Sequence, residues 1–337
     1  MITHALGNTG KTLSQYVLGT MLMGTALDET ESFTVLDDYV RKGGNFLDTA
    51  NCYAWWMGKG EYCGDESENI IGKWHTSRNN RSDLFIATKV GARITDNNAI
   101  RNKDGVPKWG EFVPRDYFEG ASGKVITQAL EDSLQRLKTD YVDLLYVHVD
   151  DRNTPLEETL ETLNGFVQKG KVKHIGYSNI QTWRLEQVFN LCRTNNWVLP
   201  VAIQQEYSYI NPAKYGDQGY INHAKEDFFD WLNYHREISL VAYSPLLKGI
   251  FTNREKADAL LSSDEYNTRL TRNRLALIDK IAKEQAIHPN ALVLAWMAAQ
   301  AEGIFPLLGF SNTEQYYENC EAFNLELDDE ILLQLKH

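Results

Sequence analysis

Eight short apolar runs recur along the chain, each separated from the next by a stretch with helical spacing, and that alternation constrains the fold more than any other feature. The runs cover residues 16–19, 45–48, 84–89, 143–148, 172–177, 201–204, 238–243 and 304–307. They are too short for core helices and are rich in Val, Ile, Leu, Tyr and Phe, so they read as buried parallel strands. Between them, residues 125–137 place Ile126, Leu130, Leu134 and Leu137 on one helical face, and 290–300 follow Pro289, a residue suited to a first helical turn. Strands and helices in this order predict a closed (β/α)8 barrel of the TIM type, an α/β fold. With 337 residues and 43% hydrophobic content, the chain can fill such a barrel as one domain over 1–337. Residues 328–335 predict a short terminal helix with an acidic start and a packing role.

A formal net charge of −12 argues against nucleic acid as a partner, because a polyanion needs a basic face. It does not exclude an anionic nucleotide held in a locally positive pocket. No apolar run approaches the length of a membrane span, and the start lacks a basic segment followed by an apolar stretch, so no membrane association and a cytoplasmic location are expected. Cys52, Cys63, Cys192 and Cys320 show neither metal-type spacing nor a dense disulfide framework and are expected to be free thiols. Nothing in the pattern sets an oligomeric state.

Residues 5–12 fit a loosened phosphate-loop pattern, with Gly10-Lys11-Thr12 at its end. A working phosphate loop follows a strand and opens a helix, and here only four residues precede it. Nor does any strand lead into a Gly-x-Gly-x-x-Gly turn and a helix, so a Rossmann domain is not expected.

Chemistry gathers at the strand ends of such a barrel, where the connecting loops converge on one mouth. Asp48 ends the second run, Tyr53 follows five residues later, Lys89 ends the third and His148 ends the fourth. Singly, each has an ordinary explanation: a cap, a packing phenol, a snorkelling amine, a core imidazole. Together they make a device for protonating a carbonyl oxygen. A free tyrosine titrates at about 10, and a nearby ammonium is expected to lower that value. Lys89 would be the ammonium, Asp48 its partner, His148 a hydrogen-bond donor to the carbonyl, and Tyr53 the acid. A metal site built on His148, Asp150 and Asp151 is the weaker reading, because no second histidine is placed to ligate.

Two stretches exceed simple connections. Residues 54–65 contain Trp55, Trp56 and three glycines, and residues 92–120 contain Trp109 and several charges. Both should overhang the mouth, where the three tryptophans would either line a substrate rim or pin the loops.

The ordered motifs Gly43-Gly44-Asn45-Phe46-Leu47-Asp48-Thr49-Ala50, Asp143-Leu144-Leu145-Tyr146-Val147-His148 and Gly170-Lys171-Val172-Lys173-His174-Ile175-Gly176-Tyr177-Ser178-Asn179 make the chain resemble an aldo-keto reductase. Gln204-Gln205-Glu206-Tyr207, Ala242-Tyr243-Ser244-Pro245-Leu246 and Pro306-Leu307-Leu308-Gly309-Phe310-Ser311 continue the likeness, and residues 6–10 with 17–21 are similar to the opening hairpin and first strand of those enzymes. The resemblance implies reduction of an aldehyde or ketone by hydride transfer from a nicotinamide dinucleotide lying across the mouth. It assigns Ser178, Asn179 and Gln204 to the carboxamide and Tyr243 to the stacked face of the nicotinamide. Thr20, Met21 and Asp48 border the same site. The pyrophosphate would pass along Ser244, Pro245, Leu246, Lys248 and Gly249, and the adenosine end would reach Gly309, Ser311, Gln315 and Asn319. Gly309 and Gln315 stand where many members carry a Lys and an Arg for the 2′-phosphate; Ser311 and Gln315 can still bond a phosphate, so NADPH is expected, with NADH possible. Trp55-Trp56-Met57-Gly58-Lys59-Gly60 lengthens the loop after Tyr53, which leaves the carbonyl substrate open among sugars, aryl aldehydes and keto compounds. A nicotinamide-binding regulatory subunit, like the channel-associated members, is the alternative.

Overall fold

A computed structural model describes residues 1–109, 111, 114–213, 220–300 and 303–336. The chain opens with an antiparallel hairpin, β1 (Thr3–Ala5) and β2 (Thr12–Ser14). Eight parallel strands follow: β3 (Val17–Gly19), β4 (Phe46–Asp48), β5 (Phe85–Val90), β6 (Val142–Val147), β7 (Val172–Ser178), β8 (Ala202–Glu206), β9 (Ser239–Tyr243) and β10 (Ile304–Leu308). Each pairs with the next in chain order, and β10 returns to β3 to close the barrel. Every apolar run expected as a strand is one of these eight.

The hairpin turn is the stretch that mimics a phosphate loop. Leu6 N–H donates to the Lys11 carbonyl at 3.0 Å, and Gly7 takes φ +46°. A Cβ on Gly7 would come 2.5 Å from the Glu237 carbonyl oxygen and 2.6 Å from that of Val201, so only glycine admits this approach. The turn therefore lies against the chain entering β8 and β9, and Leu6 and Leu13 pack with Val17, Phe46, Phe85 and Phe305 inside the barrel. This hairpin plugs the end opposite the mouth.

Helices cover the outside. α1 (Glu29–Arg41) begins with a reciprocal cap in which Asp28 accepts from the Glu31 N–H and Glu31 accepts from the Asp28 N–H. α2 (Glu66–Arg78) leads to α3 (Gly123–Leu137), whose Ile126, Leu130, Leu134 and Leu137 are all buried as the spacing required. Each such side chain contributes about 1.5–3 kcal/mol of burial free energy. α4 (Leu156–Gln168), α5 (Thr182–Asn195), α6 (Glu226–Tyr234), α7 (Arg254–Leu261) and α8 (Arg269–Gln285) continue the ring. α9 (Pro289–Ala298) has Pro at its first position and buries Leu292, Val293, Leu294, Trp296 and Met297, because it is wedged between the barrel and its neighbouring helices. α10 (Thr313–Cys320) follows β10, and α11 (Asp329–Leu335) ends the chain. All four cysteines are free. Among the described residues no helix is long and apolar enough to cross a membrane.

Three long connections, residues 49–65, 91–122 and 207–225, leave the C-terminal ends of β4, β5 and β8. Parallel strands bring those ends to the same side, and the described parts of these loops form the mouth.

Candidate active site

The barrel register brings the four expected residues together. Asp48 is the last residue of β4 and pairs with Ala87 of β5; two residues on, Lys89 pairs with Tyr146 of β6, just before His148. Asp48 and Lys89 are fully buried. The Lys89 ammonium donates to the Asp48 carboxylate, to the Thr49 carbonyl at 2.8 Å and to the Tyr53 hydroxyl at 2.6 Å. Its three N–H groups thus have three acceptors. The Tyr53 hydroxyl lies 3.3 Å from Asp48 Oδ1, while Gln204 Nε2 donates to Asp48 Oδ2 at 2.9 Å. His148 meets the Tyr53 ring edge-on, with centroids 5.8 Å apart, and its Nδ1 is 3.3 Å from Cys52 Sγ. With one phenol lone pair held by Lys89, the phenol hydrogen is free to turn from Asp48 toward the mouth.

Lys89 was expected to lower the Tyr53 phenol, but burial, and after it the negative charge of Asp48, pushes that group well above the ordinary tyrosine range. Asp48 sits beside both partners and offsets the ammonium at the phenol, and a dry pocket disfavours phenolate. Tyr53 is therefore protonated throughout the physiological range, the state an acid must start from. Burial lowers Lys89, with Asp48 opposing. Burial and then the Lys89 charge hold His148 well below the usual imidazole range, so its ring is neutral.

Residues expected at a nicotinamide converge on the same centre. Asn179 follows β7 with φ +52°, a left-handed conformation that asparagine accepts more readily than most residues. Its Nδ2 donates to the His148 carbonyl and to Ser178 Oγ, both at 3.1 Å. Its Oδ1 accepts from the Tyr243 hydroxyl at 2.7 Å and the Asn222 N–H at 3.2 Å. After β9 the chain coils tightly: Ser244, Leu247, Lys248 and Gly249 take φ +54°, +45°, +61° and +92°, and Ser208 Oγ donates to the Pro245 carbonyl at 2.7 Å. Leu246 is buried within this coil, and its carbonyl accepts from the Gly249 N–H at 2.8 Å.

Because β10 pairs with β9, the segment carrying Gly309 and Ser311 runs alongside. Gln315 Oε1 accepts from the Ser311 N–H at 2.8 Å, and Asn319 Nδ2 donates to the Gly309 carbonyl at 3.3 Å. Asn319 Oδ1 is buried with no partner among the described residues. Thr20 and Met21, after β3, differ from each other: the Thr20 hydroxyl is buried, 3.0 Å from the Asp48 carbonyl and 2.8 Å from Ser67 Oγ, whereas Met21 is exposed.

The tryptophans form one cluster bridging two loops, with Trp55 5.7 Å from Trp56 and 5.6 Å from Trp109 between ring centroids. Trp55 is only 6% exposed and the Arg101 guanidinium donates to its carbonyl, so it anchors the loop, whereas Trp109 is 59% exposed. Sequence reasoning passed over several neighbours. Ala50, Cys52, Tyr53, Ala92 and Val149 form a small apolar cluster, closed by Phe118 and Tyr220, whose rings meet at 5.2 Å. The long interval between β8 and α6 was a legible sign of a third mouth loop and would have pointed to Tyr220. Glu206, at the end of β8, was also missed; burial pushes its carboxyl up to about 7. The carboxylates that follow His148 in the chain are engaged elsewhere: Asp150 accepts from Arg184 at 2.6 Å, and Asp151 from the Ala121 N–H at 2.8 Å and Thr154 Oγ1 at 2.7 Å.

The closed eight-stranded parallel barrel agrees with the sequence comparison, in which the aldo/keto reductase family profile matches residues 16–337. The chain belongs to the aldo/keto reductase family. It is similar to an uncharacterized oxidoreductase, YrpG, of Bacillus subtilis, with 31% identity over 98% of this chain and 93% of that protein. It is similar also to norsolorinic acid reductase A of Aspergillus parasiticus, 27% identical over 97% of this chain and 78% of that one. Aryl-alcohol dehydrogenase GME11368 of Pestalotiopsis microspora is 27% identical over 96% of this chain and 78% of its own length. As an aldo/keto reductase the chain is a carbonyl-reducing oxidoreductase, and the family acts on small carbonyl substrates and generally uses NAD(P)H.

Proposed function

We propose that this aldo/keto reductase reduces an aldehyde or ketone to the alcohol with NADPH, and that Tyr53 is the general acid. The observation that carries the reading is the 2.6 Å bond from the buried Lys89 ammonium to the Tyr53 hydroxyl, with Asp48 holding the ammonium from the other side. A dinucleotide held across the mouth would supply the hydride. Tyr53 gives its proton to the carbonyl oxygen as negative charge develops there, and Lys89 stabilises the phenolate left behind. Asp48 keeps Lys89 charged in a dry site, and the neutral His148 ring donates a hydrogen bond to the same oxygen. The intact network favours an enzyme over a regulatory subunit.

The residues present fit the dinucleotide. Asn319 Oδ1, buried without a partner among the described residues, suits an adenine amino group. A Cβ on Gly309 would meet nothing within 4 Å, so backbone there is open to a ligand. Ser178, Asn179, Gln204 and Tyr243 would hold the nicotinamide near Thr20, Met21 and Asp48. Ser244, Pro245, Leu246, Lys248 and Gly249 would follow the pyrophosphate, and Gly309, Ser311, Gln315 and Asn319 the adenosine end. Ser311 and Gln315 support NADPH as polar partners for the 2′-phosphate. Trp109, with Trp55 and Trp56 behind it, favours an aryl carbonyl substrate, in keeping with a relative named for aryl alcohols.

Tyr53→Phe tests the reading. Carbonyl reduction should fall at least about a hundredfold, the scale of lost acid catalysis, with NADPH affinity by fluorescence titration unchanged. Turnover within tenfold of the parent would refute the assignment.

A further inference from the structure

We infer that Cys52 is a positioning residue for His148, its thiol donating to Nδ1 and thereby holding the ring in the tautomer that carries its hydrogen on Nε2. The consequence for turnover rests on the proposed carbonyl reduction; the tautomer itself does not.

A neutral imidazole has one donor and one acceptor nitrogen, and which is which depends on the hydrogen bonds offered to it. The His148 ring is neutral, since burial and the neighbouring Lys89 both disfavour its charged form. Its main chain is pinned by Asn179 Nδ2 on the carbonyl at 3.1 Å, and its face is set by the Tyr53 ring, which meets it at 84°. Neither contact chooses between the two tautomers. The polar contact that can do so is Cys52 Sγ, 3.3 Å from Nδ1.

Two arrangements satisfy that distance. The S–H is a weak donor and sulfur a weak acceptor, so the nitrogens decide: S–H donating to Nδ1 uses the good acceptor inside the pocket and leaves the N–H on Nε2, where a ligand can take it, and this is the arrangement we assign. The thiol can play this part because burial, and then Glu119, pushes it up to about 12, so it keeps its hydrogen at working pH. Nε2 has no partner among the described residues, and His148 is only partly buried, so Nε2 is the nitrogen available to a ligand. Carrying hydrogen, Nε2 can donate to a carbonyl oxygen; lacking it, Nε2 would set a lone pair against that oxygen. Cys52 precedes Tyr53 in the chain, so one short turn supplies both the acid and the group that orders the second donor.

The experiment is long-range 1H–15N correlation of uniformly labelled protein, with His148 assigned by loss of its signals in His148→Asn. The parent and Cys52→Ser should show hydrogen on Nε2. Cys52→Val, apolar and somewhat larger than cysteine but without a donor, should show mixed tautomers, with the smaller Cys52→Ala as a second donor-free variant should Val perturb folding. Turnover of Val should fall about three- to tenfold with NADPH affinity unchanged, and Ser should recover most of it. Hydrogen on Nδ1 in the parent, or an unchanged tautomer in both donor-free variants, would overturn the inference. A shifted tautomer with unchanged turnover would support it and count instead against a catalytic part for His148.

Discussion

Replacing Glu206 by Gln should alter the pH dependence of stability by an amount that can be worked from its surroundings. Glu206 ends β8, its side chain is 14% exposed, and burial raises its carboxyl from 4.5 to about 7, against the opposing influence of Lys248 and the Ser244 hydroxyl. His223 Nδ1 lies 3.6 Å away from the loop that follows β8, and the Tyr220 and Tyr243 phenols face the same carboxyl. A carboxyl raised in this way keeps a proton in the folded chain that the unfolded chain has already lost. Its contribution is therefore fully present below pH 4.5, declines as pH rises, and levels off above about pH 7. A displacement of that size corresponds to about 3 kcal/mol. Urea unfolding of parent and Glu206→Gln at steps from pH 5 to 8 measures most of it, and the parent should lose about 2.5 kcal/mol relative to the variant across that range. His223, which burial lowers, acts with the opposite slope, and because it touches Glu206 the comparison is made in parallel in a His223→Gln background, where its titration drops out. A parent-to-variant difference constant to within about 1 kcal/mol would show that Glu206 is charged in the folded state and that burial does not dominate its environment.

Two further outcomes are expected. Gly309→Lys with Gln315→Arg should tighten NADPH relative to NADH by about 1–3 kcal/mol in fluorescence titrations, by adding charge-assisted contacts at the adenosine end; an unchanged preference would place the 2′-phosphate elsewhere. Trp109→Ala should raise the Michaelis constant for bulky aryl substrates at a stability cost under about 1 kcal/mol, whereas buried Trp55→Ala should cost about 3–5 kcal/mol, and equal stability losses with unchanged substrate ranking would make both tryptophans scaffold.

Much of this molecule follows from short-range pattern. A strand of four to six apolar residues and a helix with its stripe are local decisions, so β3 to β10 and the buried face of α3 were legible before any contact was known. A parallel barrel then delivers every strand end to one mouth, and so Asp48, Tyr53, Lys89 and His148 could be grouped without knowing a distance. Ser178, Gln204 and Tyr243 were pointed to by the family resemblance and not by local pattern, and they lie at the ends or within the successive strands β7, β8 and β9. What local pattern could not supply is any quantity that sums over the neighbours of one atom. The direction of the Tyr53 displacement depends on burial and on Asp48 lying beside the phenol as well as the ammonium, and adjacency in sequence carries neither. Trp55 and Trp109 look alike in the chain; one is a buried anchor, held through its carbonyl by Arg101, and the other is largely exposed. The Cys52–His148 contact joins residues 96 positions apart. Periodicity is enforced every few residues and survives in the sequence, whereas the charge and hydrogen positions of a buried site are set by whichever distant segments close over it, and those meet only in the folded barrel.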